Sequence, residues 1–440
     1  MKLYVGVDLG STTTKAVVMD DGGRLLGKGI TNSRSNYDTA CAIAKTEALI
    51  DTRFSLFGRR MEALDSLTVD RAAFMTRLEA SFRLQQYLVQ LRCLADTALQ
   101  EADSKRYGEL RAPLRAKLEA LFGEMMGQAP ALFAPGAKRR SDFFRDLAGS
   151  VYMSLAERYA DPNGVNYALI VGIYDKCIIR VENSVLDLSF ETHVGKSLDT
   201  AFDGIPHLRA AERAGLGEVA REAAANPLEI VTSVGTGYGR ARLPFPKEHI
   251  RSEILCHGLG AHWMYPHTAT VLDIGGQDTK AIQVDGEGIV TGFQMNDRCA
   301  AGCGRYLGYI ADELNIGVQE LGPLAMQAEK TVRINSTCTV FAGAELRERL
   351  NNGERREDIL RGLHRAIILR AMSLLARSGG ISDEFTFTGG VANNAAAVAA
   401  LQELVLENYG ERRLNISPNS IYTGAIGAAL FALRGTAKGA

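Results

Sequence analysis

Two stretches of the chain share one pattern of apolar and polar positions. An apolar run at residues 4–7 leads into a polar, glycine-containing turn and a second apolar run at residues 16–19. The same order recurs from residues 270–272 to residues 281–284. Short apolar runs bounded by Asp and Gly predict strands joined by tight turns. Since each stretch continues into a further Asp- and Gly-containing turn, we expect two β-meanders.

The two stretches are copies of one repeat. Residues 8–16 read DLGSTTTKA and residues 273–281 read DIGGQDTKA, with each match 265 residues apart, as Asp273 is from Asp8. Two such hairpins facing each other across a cleft can hold phosphates with turn N–H groups and hydroxyls. The paired aspartates suit a hydrated Mg²⁺ ion. Two unrelated hairpins with common turn residues are the alternative, which the second copy disfavours. Neither turn is a Walker A loop.

Between the copies, the period changes to that of helices. Apolar residues recur at helical spacing, as in Leu84, Leu88, Leu91, Ala95 and Ala98, and later in Leu110, Leu114, Leu118, Leu121 and Met125. We expect a mainly helical insertion over residues 37–160, with a helix break at residues 127–130, and a return to strands at residues 167–173 and 177–181. The apolar stripes are typical of the insertion's own core, or of a docking surface for a partner.

Composition narrows the class of protein. With 440 residues, 46% of them hydrophobic and 23% charged, the chain is typical of a globular protein of two or three domains. A net charge of -1 disfavours a nucleic-acid or membrane surface. The first residues read as a buried strand rather than a signal peptide, and no apolar run approaches the roughly 20 residues of a membrane span. We therefore expect a cytoplasmic location.

The cysteines, at positions 41, 93, 177, 256, 299, 303 and 338, are odd in number, which disfavours a disulfide framework. Cys299 precedes a predicted helix with apolar residues at Leu307, Ile310 and Leu314. The positive end of a helix lowers the pKa of a thiol and stabilises an anionic cluster. Cys338 lies among small polar residues before a helix expected to begin near Phe341. Such hydroxyls and N–H groups tune iron–sulfur clusters.

Two cysteines do not complete a [4Fe–4S] cluster, which normally takes four. Two chains, each giving Cys299 and Cys338, would complete it. Other interpretations stay open at this point: Cys299 and Cys303 as a pair containing a nucleophile, or as a chance pair at a helix start. Cys303 is either a bystander or an alternative ligand.

The repeat belongs to a set of five segments that resembles the actin, heat-shock chaperone and sugar-kinase ATPases. Residues 8–15 and 273–280 resemble the two phosphate segments, 233–239 and 422–430 the two hinge segments, and 387–394 the adenosine segment. The resemblance implies an α/β fold of two actin-like (ribonuclease H-like) lobes with mixed sheets around an ATP cleft. It divides the chain into lobe I (residues 1–36 and 161–260), the insertion (37–160), lobe II (261–421) and a hinge helix returning to lobe I (422–440).

This resemblance also assigns candidate residues. Asp8, Asp273 and Gln277 are expected to position the attacking water, with Asp8 and Asp273 also holding Mg²⁺ through water. ATP or ADP is expected to contact Gly10, Ser11, Thr12, Thr13, Lys15, Gly235, Gly237, Gly275, Gly276, Gly389, Gly390 and Asn393. For Thr14 and Thr279 we expect a turn or core role instead.

Residues 296–302 and 336–342 narrow the resemblance to one branch of these ATPases. That branch contains the activators of 2-hydroxyacyl-CoA dehydratases and the ATPase subunits of benzoyl-CoA reductase. It implies a [4Fe–4S] cluster shared by two chains through Cys299 and Cys338, and ATP-driven transfer of electrons from ferredoxin to catalytic iron–sulfur subunits. The long insertion favours benzoyl-CoA reductase and its dearomatisation reaction.

A homodimeric dehydratase activator is the first alternative to that assignment. A small-molecule kinase without a cluster, or a chaperone-like ATPase, are the others. The acyl-CoA of the partner, and whether the two chains are identical, stay open at this stage.

Overall fold

The computed structural model describes residues 1–33, 36–64, 67–137, 139, 141–296, 303–334 and 339–437. The chain divides into two compact units. One unit combines Met1–Asp51 with Leu228–Ala440, and the other is Thr52–Pro227.

The first sheet of the larger unit contains the first copy of the repeat. Its strands are β1 (Lys2–Leu9), β2 (Thr13–Met19), β3 (Leu25–Asn32) and β4 (Glu229–Thr236), in the order β3-β2-β1-β4. The first three strands form an antiparallel meander, and β4 adds parallel to β1. In this register Asp8 lies opposite Lys15 on one side and Thr236 on the other.

The second sheet repeats this plan. Its strands are β5 (Thr270–Ile274), β6 (Thr279–Val284), β7 (Val290–Asn296), β8 (Glu384–Thr388) and β9 (Arg413–Asn415), in the order β7-β6-β5-β8-β9. Asp273 lies opposite Lys280 across an antiparallel pair and opposite Thr388 across a parallel pair. Both predicted meanders are therefore confirmed.

Helices account for most of the remaining described residues. They are α1 (Tyr37–Glu62), α2 (Arg71–Ala102), α3 (Arg111–Leu132), α4 (Phe144–Tyr159), α5 (Tyr167–Glu182), α6 (Phe190–Asp203), α7 (Ala210–Ala225), α8 (Glu253–Met264), α9 (Gly304–Glu313), α10 (Val318–Ala325), α11 (Thr339–Asn351), α12 (Arg356–Ser378), α13 (Ala395–Tyr409) and α14 (Thr423–Ala437). No helix in the described ranges is long and apolar enough to cross a membrane.

The smaller unit is helical, and it corrects one sequence-based expectation. The strands expected at residues 167–173 and 177–181 are wrong, because this segment forms the single helix α5. The side chain of Asn166 caps α5 by accepting from the Leu169 N–H. Apolar residues at three- and four-residue spacing, including Ile170, Ile173 and Cys177, then face the core. Tertiary burial of this face overrides the β-propensity of the Ile and Val residues.

The helix break expected at residues 127–130 is also wrong. Helix α3 continues to Leu132 with Pro130 inside its last turn. A proline near the end of a helix removes one backbone hydrogen bond. The carbonyls after it lie in the last turn, where they have no helical partner in any case, so the cost of the proline is small there.

Two helices of the larger unit pack closely against the first sheet and each other. A β-carbon on Gly6 would overlap the Ala425 carbonyl of α14, and one on Gly427 would overlap the Cys256 carbonyl of α8. Glycine at these two positions therefore lets α14 lie directly over β1 and against α8. The first turn of α14 and the first two turns of α8 are thereby brought to the end of β1 where Asp8 lies.

Candidate functional site

The carboxylate of Asp8 is buried and incompletely partnered. Its Oδ2 lies 3.8 Å from Lys15 Nζ, and its Oδ1 has no hydrogen-bond partner among the described residues. Burial raises the pKa of Asp8 against the opposing charge of Lys15. A buried acceptor without a partner costs about 1–3 kcal/mol, more when it is charged. Such an oxygen fits the water shell of a hydrated Mg²⁺ ion, which takes few carboxylates from the protein.

The carboxylate of Asp273 is saturated with partners instead. Its Oδ1 accepts a hydrogen bond of 2.9 Å from Thr388 Oγ1 and lies 3.3 Å from His257 Nδ1. Its Oδ2 lies 3.3 Å from Lys280 Nζ. Burial alone would raise the pKa of Asp273, but the charges of His257 and Lys280 outweigh it and hold that pKa well below its usual range.

Lys280 is enclosed by three carboxylates. Its side chain is 0% exposed, and Nζ lies 2.8 Å from Asp278 Oδ1 and 2.9 Å from Glu253 Oε1, in addition to Asp273. Burial favours the neutral amine, but these charges prevail and raise the pKa of Lys280. Its ammonium group is thus committed to the protein, whereas Lys15 has one long ion pair and a partly exposed side chain. Of the two repeat lysines, Lys15 is the one open to a phosphate.

The turns of the two repeats contact each other directly. A β-carbon on Gly276 would lie 3.1 Å from Thr12 Cβ and 3.6 Å from Ser11 Oγ. The first turn is held by Ser33, whose hydroxyl donates to the Gly10 carbonyl at 2.6 Å and accepts from Thr14 at 2.9 Å. The hydroxyls of Ser11 and Thr12 therefore lie beside the Gly276 backbone of the other turn.

Helix α9 orients the second turn. The N–H groups of Gly304 and Arg305 donate to the carbonyls of Gly275 at 2.9 Å and of Gly276 at 2.8 Å. In a trans peptide the C=O and the following N–H point in opposite directions. These two bonds therefore turn the next N–H groups, of Gly276 and of the half-buried Gln277, away from α9.

The predicted adenosine segment begins at Gly389. Its φ is +84°, and a β-carbon there would lie 3.0 Å from Asp273 Oδ1, so glycine is needed for both reasons. A short 3₁₀ helix at Gly390–Asn393 follows. Asn394, the last residue of the predicted adenosine segment, caps α13 by accepting from the N–H groups of Ala396 and Ala397.

The two glycines expected near the first hinge differ in their surroundings. A β-carbon on Gly237, at φ +104°, would lie 2.5 Å from Asp8 Oδ1, so Gly237 borders the candidate site. Gly235 instead packs against Leu243 and Phe245. The structure thus brings Gly237 to Asp8 and assigns Gly235 a packing contact.

Sequence reasoning missed Glu253 and His257, and it placed Thr388 in the adenosine segment without a role beside Asp273. Glu253 and His257 lie one turn apart on α8, so an acid and a histidine at i and i+4 within a largely apolar helix were the available signal. Thr388 and Thr236 are each followed by a glycine beside a repeat aspartate. This Thr-Gly pair is therefore also repeated. A search for matches 265 residues apart does not find it, because the number of residues between the aspartate and the threonine differs between the two copies.

The proposed cluster ligands Cys299 and Cys338 lie outside the described residues. The helices that follow them, α9 and α11, pack together: a β-carbon on Gly343 would lie 2.7 Å from Tyr309 Oη, and Arg347 pairs with Glu313. Within the described ranges, no three His, Cys, Asp or Glu side chains converge to hold a metal ion by themselves.

A model of the BadF/BadG/BcrA/BcrD ATPase family matches residues 5–432. The chain belongs to this ATPase family. The (R)-2-hydroxyglutaryl-CoA dehydratase activating ATPase of Acidaminococcus fermentans is 41% identical over 224 residues, which are 51% of this chain and 83% of that protein. A benzoyl-CoA reductase polypeptide of Thauera aromatica is 32% identical over 207 residues, 47% of this chain and 72% of that protein.

A solved structure has the same fold as this chain. The crystal structure of the Acidaminococcus fermentans (R)-2-hydroxyglutaryl-CoA dehydratase component A matches with a TM-score of 0.52 at 23% identity, covering 99% of this chain and 100% of that one. Together with the two sheets and their shared strand plan, this confirms the expected actin-like α/β ATPase fold. The predicted family resemblance is likewise confirmed.

Proposed function

We propose that the chain is an ATP-hydrolysing activator that passes electrons to a dehydratase-type catalytic partner. The observation that carries the ATPase part is the contact of the two repeat turns beside the open oxygen of Asp8. The partner class follows from the relatives: the identity is 41% to a dehydratase-activating ATPase against 32% to the benzoyl-CoA reductase polypeptide.

In this proposal the residues around Asp8 bind the nucleotide. Asp8 holds the water shell of Mg²⁺, and Lys15 with the hydroxyls of Ser11, Thr12 and Thr13 contacts the phosphates. The metal, when bound, neutralises charge that develops on the transferred phosphoryl group. The turn N–H groups oriented by α9 add donors from the opposite side.

On the second repeat, Gln277 orients the attacking water at the tip of the turn. Gly275 and Gly276 let the backbone approach the phosphates. Gly389, Gly390 and Asn393 hold the adenosine on the same side of the cleft.

The electron-transfer part rests on Cys299 and Cys338. Two chains, each giving these two thiolates, supply the four that a [4Fe–4S] cluster takes. Ferredoxin is the proposed donor. Because α9 is hydrogen-bonded to the Gly275–Gly276 turn and α11 packs on α9, a change at the nucleotide is passed to the helices that follow both cysteines.

The first experiment measures iron and acid-labile sulfide in anaerobically purified protein, with an EPR spectrum after reduction. We expect about four irons per two chains, lost in Cys299→Ala and in Cys338→Ala. Cys93→Ala is the matched control, because Cys93 is half-buried in the smaller unit, and it should keep the iron. A wild-type protein that hydrolyses ATP but holds no iron, with any sister chain present, would instead favour a kinase or chaperone-like ATPase.

Benzoyl-CoA reductase is the second candidate partner, favoured by the relative in Thauera aromatica and by the helical unit Thr52–Pro227. Reconstitution separates the two. The reduced chain with ATP should start turnover of a 2-hydroxyacyl-CoA dehydratase, and start dearomatisation only if the second candidate is correct.

A further inference from the structure

Two side chains of α8 contact the second repeat from outside it. Glu253 Oε1 lies 2.9 Å from Lys280 Nζ, and His257 Nδ1 lies 3.3 Å from Asp273 Oδ1. The two residues are one helical turn apart, so they form one face of α8. One helix thus contacts both the aspartate and the lysine of this repeat.

The ring of His257 also borders the first repeat. A β-carbon on Gly424, in the first turn of α14, would lie 2.9 Å from His257 Nε2 and 3.1 Å from Asp8 Oδ2. The imidazole therefore lies between the two repeat aspartates, with Nδ1 towards Asp273 and Nε2 towards the Asp8 side. Nδ1 is buried and has no aligned hydrogen-bond partner among the described residues, although Asp273 Oδ1 is near.

We propose that His257 is a positioning residue that acts through Nδ1 to fix the Asp273 carboxylate against Thr388 and Lys280. Asp273, so fixed, would meet the water shell of the nucleotide's metal in one orientation, whereas Asp8 offers it a carboxylate oxygen with no partner among the described residues. The inference rests on the proposed ATPase function and gives the two aspartates different tasks within it. Partners that orient a metal-site carboxylate typically matter by 10- to 100-fold in metal affinity or activity.

A purely structural role predicts something else. If His257 only fills space between α8 and β5, any side chain of similar size should serve. Three substitutions separate these cases. His257→Asn keeps an amide near the position of Nδ1, His257→Gln moves its amide towards Nε2, and His257→Leu has the size of Asn without a polar group.

The test measures binding of a fluorescent, non-hydrolysable ATP analogue with Mg²⁺ and with EDTA, together with kcat, KM and the thermal midpoint. The gain in affinity due to Mg²⁺ should fall roughly tenfold or more in His257→Leu and His257→Gln. It should stay near the wild-type value in His257→Asn. Affinity in EDTA should be alike in all four proteins, and kcat should fall in the same order as the Mg²⁺-dependent gain.

Two outcomes would overturn this inference alone. One is a wild-type gain in His257→Leu. The other is an equal loss in all three variants that follows their thermal midpoints, which indicates packing alone. A wild-type chain that neither hydrolyses ATP nor binds the analogue better with Mg²⁺ would remove the proposed ATPase function and this inference with it. The first two outcomes leave the ATPase function standing.

Discussion

The two copies of the repeat have the same Asp and Lys but opposite electrostatic surroundings. In the first copy, Asp8 and Lys15 make one long ion pair, and one Asp8 oxygen is free of partners among the described residues. In the second copy, Asp273 and Lys280 belong to a buried network with two further carboxylates and a histidine. The same Asp and Lys therefore do not have the same electrostatic surroundings in the two copies.

The strand beside each aspartate explains part of the difference. Thr236 and Thr388 occupy the same register position, but Thr388 donates to Asp273, whereas Thr236 donates to the Arg251 carbonyl at 3.0 Å. One threonine saturates its aspartate, and the other leaves its aspartate open. The comparison teaches that one copy is built as scaffold and the other is left available to a ligand.

The largest expected effect breaks the scaffold copy. Lys280→Met leaves three buried carboxylates without their shared cation, and should lower the free energy of unfolding by about 3–5 kcal/mol. Lys15→Met removes one pair at 3.8 Å and leaves a single carboxylate whose pKa burial already raises, so it should lower the free energy of unfolding by less while impairing ATP hydrolysis. Urea denaturation of both variants tests this. Equal losses of stability would contradict the asymmetry.

Next in size is the exchange of each aspartate for its amide. Asp8→Asn should lower Mg²⁺-dependent ATP hydrolysis about 100-fold, equivalent to about 2.7 kcal/mol. It should not lower stability, since the buried Asp8 charge has too few partners. Asp273→Asn should destabilise the protein, because His257 and Lys280 lose their charged partner. The loss of stability, measured by the urea midpoint, should therefore occur in Asp273→Asn and not in Asp8→Asn, whose loss is in the steady-state rate. A fully active Asp8→Asn protein would refute the assignment.

Substitutions of the two threonines should have smaller effects on stability and test the same comparison. Thr388→Val removes a hydrogen bond to a buried carboxylate and should cost about 1.5–3 kcal/mol, whereas Thr236→Val removes one to a carbonyl and should cost about 1 kcal/mol. Both exchanges keep the shape of the side chain. Urea denaturation measures the difference between the two losses of stability. That difference should vanish when each valine is introduced separately into Asp273→Asn.

The smallest effect concerns a histidine outside the network. Burial lowers the pKa of His364, whose Nδ1 donates to the Leu360 carbonyl and whose Nε2 accepts from Asn394. A histidine in the unfolded chain has a pKa near 6.5. Just below that pH the unfolded chain therefore binds a proton at His364, whereas the folded chain does not. Stability should fall as pH decreases from about 6.5 towards the lower folded pKa, by at most about 1.4 kcal/mol per pH unit.

The control for this effect is His364→Leu, in which that contribution to the slope should be lost. His257 has the opposite behaviour. Burial favours its neutral form, but the charge of Asp273 prevails and raises the pKa of His257. Its stabilising contribution is complete below about pH 6.5 and is lost as pH rises through its folded pKa. For His364, an equal dependence of the free energy of unfolding on pH in the wild type and in His364→Leu would contradict the argument from burial.

Sequence patterns determined much of the larger unit. The repeat placed β1, β2, β5 and β6 and the tight turns between them, because strand alternation and turn residues are local properties. The start of α11 was also foreseen to within two residues, at Thr339 against Phe341. In the smaller unit the apolar run at residues 167–181 was misassigned to strands, since a short apolar run looks alike in both structures until its packing partners are known.

By itself, the sequence determined the ATPase family, the two aspartates and the candidate cysteines, all of which depend on residue types at fixed spacing. Only the tertiary structure decided which aspartate is open and which is locked. That difference depends on α8, α14 and the strands β4 and β8, which approach the repeats from distant parts of the chain. The energy of a buried charge depends on the partners within a few ångströms of it. Within the repeat, only Asp278, at the position of Thr13 in the first copy, adds to this difference, and Glu253, His257 and Thr388 lie outside it.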